Sequence, residues 1–107
     1  MRVIEKKVIG AFLNGQKLTI SNTSTNGRSL FLHGHEIARF SAKNGLELNF
    51  CGWVTPTTQS RLNSLCELVL DRRPLSIKQG TPRSVVNGFE VPACEFFPLE
   101  TLTKQNT

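Results

Sequence analysis

From Lys17 to Phe50 apolar and polar residues alternate with a period of two, the pattern of strands buried on one face. Leu18 and Ile20 fall on one side of the first run, Lys17 and Thr19 on the other. Arg28 to His33 places Leu30 and Leu32 opposite Phe31 and His33. His35 to Ser41 sets Ile37 against Ala38 and Phe40. In Leu46 to Phe50, Leu46, Leu48 and Phe50 point inward, and Glu47 and Asn49 outward. Thr23 to Gly27 (TSTNG) reads as a turn cluster between the first two runs. Asn44-Gly45 reads as a two-residue hairpin turn. One apolar face and one polar face predict an antiparallel sheet covered on one side.

The period then changes. Leu62, Leu65, Cys66 and Val69 recur at helical spacing and form one apolar stripe. Leu68 and Leu70 widen it, so the last turn is expected to be buried. Thr55 is the predicted N-cap and Pro56 suits the first helical position, with Thr57 and Thr58 as alternative caps. Pro74 disfavours helix at Arg73. These limits predict a helix over about 55–70. Beyond it, Leu75 to Gln79 reads as a strand and Gly80-Thr81-Pro82 as a turn. Ser84–Val86 and Phe89–Val91 flank Asn87-Gly88 as a hairpin with a type I′ turn. Pro92 and Pro98 bracket an extended ACEFF segment, and a polar tail from about 101 is expected to fray.

Val3 to Leu13 fits two readings: a short helix capped at Asn14-Gly15, or a strand ending in an Asn-Gly hairpin. Glu5, Lys6, Lys7 and Ala11 favour the helix. The expected fold is α+β: an antiparallel sheet of about five to seven strands packed on one main helix, within a single domain, 1–107.

The formal charge of +5 and pI of about 9.6 favour contact with polyanions, yet serve solubility equally well. Cys51, Cys66 and Cys94 are widely spaced and include no CxxC pair, which argues against a disulfide framework or a standard zinc site. No apolar run approaches the roughly 20 residues of a membrane span. The N-terminus lacks the continuous apolar stretch of a secretory signal. The expected location is the cytoplasm, with no membrane partner.

Catalytic patterns are sparse. His33-Gly34-His35 would place two imidazoles on one strand face, but a metal site needs three or four ligands. Cys51 or Cys94 beside His33 or His35 makes a nucleophile–base pair only if the fold joins them. There is no phosphate-binding loop of Walker spacing, and the eight acidic residues are isolated. The expectation is a non-enzymatic protein with no cofactor, no metal and no catalytic residue.

A binding site is better supported. Trp53 enters the predicted helix beside Thr57, Thr58 and Arg61. An aromatic ring, hydroxyls, free first-turn amides and an arginine would serve a nucleic acid, one group stacking and the others holding phosphate. Arg72, Arg73, Lys78 and Arg83 would form an outlying basic strip.

The run NTSTNGRSLFLHGHEIA, then GWVTPTTQSRLNSL, a basic strand and a VNG hairpin, resembles a family of small tailed-bacteriophage proteins. The resemblance spans about Lys17 to Val91, and the tail from Pro92 departs from the family's usual length. It implies phage origin and the cytoplasm of an infected bacterium, and it supplies no catalytic residues. Two functions are therefore expected in order: nucleic-acid binding at the start of the main helix, or inhibition or modulation of a host or anti-phage defence protein. Oligomeric state is left open.

Overall fold

The computed structural model describes residues 3–104. The side-chain packing expected of Val3 and Ile4, and the end of the polar tail at 105–107, lie outside the described residues. The first element is the helix α1, Val3–Leu13. Val8, Ile9 and Phe12 are fully buried. Asn14-Gly15 ends it as a helix cap, not as a hairpin. Gly15 takes φ 72, and Gln16 N–H returns to Ala11 O at 2.8 Å. That bond satisfies a last-turn carbonyl that would otherwise be orphaned.

A six-stranded antiparallel sheet follows: β1 (Lys17–Ile20), β2 (Thr23–Asn26), β3 (Ser29–Leu32), β4 (His35–Ser41), β5 (Gly45–Leu48) and β8 (Phe97–Pro98). The strands β1 to β5 form a simple meander, and β8 returns from the far end of the chain to pair with β5. The expected TSTNG turn is instead strand β2. Its β-branched Thr23 and Thr25 are buried facing the helices. Thr25 Oγ1 donates to Ser29 O at 2.8 Å, so the buried hydroxyl is satisfied. The preceding turn moves to Ser21-Asn22, where Ser21 has φ 58.

Tight two-residue turns lie elsewhere than at the Asn-Gly pairs. His33-Gly34 (φ 53 and 81) joins β3 to β4 in I′-like geometry. Gln79-Gly80 (φ 52 and 77) does the same between β6 (Leu75–Lys78) and β7 (Thr81–Ser84), so the turn lies one residue earlier than expected. At Asn44-Gly45 the loop is three residues, Ala42 to Asn44, with Gly45 at φ 69 paired to Ser41. The Asn87-Gly88 loop is wider still, because Gly88 N–H bonds to Ser84 O. Val85 and Val86 consequently sit in the loop and are exposed.

A β-bulge leaves Ile37 unpaired between Glu36 and Ala38. Ile37 and Ala38 are therefore both buried, where strict alternation placed them on opposite faces. The outer face is not wholly bare either. Glu47 and Asn49 are buried. Glu47 accepts from Arg39 Nε and Asn44 Nδ2, each at 2.8 Å. The Arg39 guanidinium in turn lies 3.7 Å from the Phe96 ring centroid.

The main helix α2 is Pro56–Leu70, with Thr55 as its N-cap and Asp71, in the left-handed region, as its C-cap. Leu62, Leu65 and Cys66 join Leu48 and Phe50 in the core. Each large side chain buried there contributes about 1.5–3 kcal/mol. The stripe stops one turn early, however, and Leu68 and Val69 are each 42% exposed. The chain leaves at Asp71, and β6 packs along the α2 face carrying Asn63. Asn63 clamps the backbone of Leu75, accepting from its N–H at 2.8 Å and donating to its C=O at 2.9 Å. A short 3-10 turn, Leu99–Leu102, then inserts Leu99 and Leu102 into the core. The tail expected to fray from Thr101 is thus held through Lys104. Ser84 Oγ donates to Leu102 O at 2.6 Å, and Asn87 Nδ2 donates to Thr101 O and Lys104 O.

Candidate surface at the Trp53 turn

Phe50 ends its strand run in the core, and the chain must then reverse before α2 begins. Cys51 and Gly52 accomplish this with φ 56 and 77, and Trp53 N–H closes the turn on Phe50 O at 2.9 Å. The reversal pushes Trp53 outward, where it is 57% exposed. Its ring meets His35 at 5.6 Å between centroids, tilted by 39°. His33 lies in the neighbouring β3–β4 turn. The same kind of turn thus occurs twice, and the two together gather an indole and two imidazoles at one end of the sheet.

Between them is a cleft of about 60 Å³, lined by Leu32, Ile37, Phe50, Cys51 and the three rings, with no polar surface inside. A benzene-sized cavity is roughly 150 Å³. The cleft therefore has room for the tip of an apolar side chain rather than for a cofactor. Cys51 Sγ donates to Glu36 O at 2.9 Å. Burial, reinforced by the nearby Glu36 and Cys94, pushes its thiol pKa above the ordinary value. Burial pushes the Cys66 thiol up to about 12. Among the described residues no group of three or more His, Cys, Asp or Glu is placed to hold a metal ion.

The predicted site residues are not one surface. Trp53 and Thr57 are exposed at the start of α2, but Thr58 is buried. Thr58 N–H is taken by Thr55 Oγ1 at 3.3 Å, Gln59 N–H goes to Thr55 O, and Pro56 has no N–H. That leaves the Thr57 amide, so the first turn offers less to an anion than the sequence promised. Arg61 is only 6% exposed. Its guanidinium bonds to Glu5 through Nη1, to Thr23 Oγ1 through Nε at 3.0 Å and to Asn22 Oδ1 through Nη2 at 3.4 Å. Ser60 and Ser64 donate to the same Glu5 carboxylate. Arg61 is a structural tie between α1, α2 and β2.

The basic strip is also divided. Arg72 and Arg73 follow the far end of α2, a helix about 22 Å long whose other end follows the Trp53 turn. Arg73 pairs with Glu67 at 3.0 Å and Arg83 with Glu90 at 3.4 Å. Arg72 and Lys78 are exposed. His33 and His35 were noticed in the sequence as a metal candidate, whereas the structure makes them the wall beside Trp53. Two turn signals, HGH and CGW, flank that wall in the sequence. Their adjacency depends on the sheet and is not written locally.

Among the described residues no helix is long and apolar enough to cross a membrane. Residues 1–97 match the family model described as Kyanoviridae Gp96 protein. No curated protein and no solved structure matches the chain.

Proposed function

The chain belongs to the Kyanoviridae Gp96 family of phage proteins, and from that premise we propose that it is a non-enzymatic accessory protein that docks a host protein through the Trp53 turn, in the cytoplasm of the infected bacterium. The observation that carries this reading is the largely exposed Trp53 ring at the mouth of a cleft floored by Leu32, Ile37 and Phe50. An exposed aromatic beside a pocket for an apolar side chain is the composition of an interface anchor. The arginine that would have turned this end towards phosphate is committed to Glu5. The cleft is of a size to take the tip of a partner's apolar side chain, which supports recognition.

A second reading, nucleic-acid binding, is favoured by the net charge of +5 and by the Trp53–His35 pair as a platform for a base. One experiment separates them. Parent and Trp53→Ala protein are used as bait in host lysate with and without nuclease, at low and at high salt. Docking of a protein predicts a retained host protein that is lost with Trp53→Ala and changes little with salt. Retention abolished by nuclease, or falling steeply with salt, overturns it in favour of the polyanion. Trp53 is the single tryptophan, so its emission reports a purified partner or oligonucleotide directly.

A further inference from the structure

Cys51 and Cys94 are 43 residues apart and belong to no sequence motif. The sheet nevertheless brings them together. β5 and β8 pair antiparallel with Leu48 opposite Phe97. Carrying that register three residues outward sets Cys51 opposite Cys94, and one more sets Gly52 opposite Ala93. Gly52 N–H does donate to Ala93 O, at 2.7 Å, so the two segments stay side by side past the end of the ladder, although Cys51 and Gly52 have left strand geometry. A Cβ added to Gly52 would lie 3.5 Å from Cys94 Sγ, which places that sulfur against the turn. A disulfide needs Cα atoms about 4.4–6.8 Å apart, a separation within reach of residues on two segments held this close. Both thiols are free in the structure, Cys94 exposed and Cys51 half-buried, while Cys66 is fully buried in the core.

We propose that Cys51 and Cys94 form a reversible intramolecular disulfide on meeting a small-molecule disulfide, fastening the C-terminal segment to the turn that carries Trp53. The exposed Cys94 thiolate attacks one sulfur of the oxidant, whose S–S bond breaks and releases one thiol. Cys51 then attacks Cys94 Sγ in the mixed disulfide and expels the second thiol. Two protons and two electrons pass from the protein to the small disulfide, which leaves as two thiols. Cys51 also lines the cleft, so the bond acts on the same surface that Trp53 crowns. The chemistry is independent of what that surface docks.

The test is to incubate the dilute native chain with oxidised glutathione and to follow intact mass, free thiols and peptide maps. The expected product is a monomer lighter by two hydrogens, with one free thiol, Cys66, counted only after denaturation, and a peptide joining Cys51 to Cys94. Cys51→Ser should instead stop at a lasting glutathione adduct on Cys94, because the resolving thiol is missing. A parent that keeps glutathione on Cys94 with Cys51 free, forms only Cys94-linked dimers, or loses no thiol overturns the proposal. The peptide map of the parent decides the matter even if a variant folds poorly.

Discussion

Glu5 of α1 and Arg61 of α2, 56 residues apart in the chain, form an ion pair buried on both sides. Glu5 is 1% exposed and accepts from Ser60 and Ser64 as well. Removing one partner of such a pair leaves a buried charge uncompensated. Arg61→Ala and Glu5→Ala are each expected to cost about 3–5 kcal/mol in urea unfolding. Replacing both by Met should cost less than the two single losses added together. Single variants within about 0.5 kcal/mol of the parent would show that the pair is not a tie.

The early end of the apolar stripe on α2 is checked by a contrast. Leu65 is fully buried, and Leu65→Ala should cost about 2–5 kcal/mol through lost contacts and a residual cavity. Val69 is 42% exposed, and Val69→Ala should stay within about 0.5 kcal/mol of the parent. Equal losses would put Val69 back in the core.

Gly27 has φ 93, and a Cβ there would stand 2.6 Å from Gly15 O. The backbone after α1 presses directly on the β2–β3 turn. Gly27→Ala should therefore lower thermal stability more than Gly34→Ala, since Gly34 shares a positive φ but has open space around it. The conformational cost common to both is about 1–2 kcal/mol. Equal melting shifts would refute the close approach.

Hydrogen bonds from Asn44 and then Arg39 hold the Glu47 carboxyl below its ordinary value of 4.5. A depressed carboxylate binds fewer protons in the folded state, so the stability it contributes is present above pH 4.5 and lost as pH falls through the lower folded value. Glu47→Gln should flatten the acid limb of the stability curve below that point while changing its slope little at neutral pH. An unchanged acid limb counts against the assignment.

Much of this architecture was legible locally. Leu30, Leu32, Leu48 and Phe50 carried the sheet by alternation, and Thr55-Pro56 marked the start of α2 by cap chemistry. What failed needed information from far along the chain. Thr23 and Thr25 looked like turn residues because the helices that bury them are not adjacent in sequence. Arg61 looked like a phosphate ligand because Glu5, its counter-ion, is 56 residues upstream. Val69 kept the helical period but faces a side that no later element covers among the described residues. Ile37 broke alternation through a bulge that its own run of residues does not signal. For the site, the loop position of Trp53 left a buried lid and an exposed ring both open, and the structure exposes it. The imidazole wall and the facing cysteines depended on strand order.

The sheet's two open margins are both short. On one side β1 offers four residues, with Lys17 in the row, and on the other β8 offers two and stops at Pro98. Neither margin gives a neighbouring molecule a long flat template, and a charge or a proline interrupts each. The fold thus carries protection against edge-to-edge stacking into fibrils. Copies that meet at these margins would have to hold one another by side chains rather than by a shared backbone ladder.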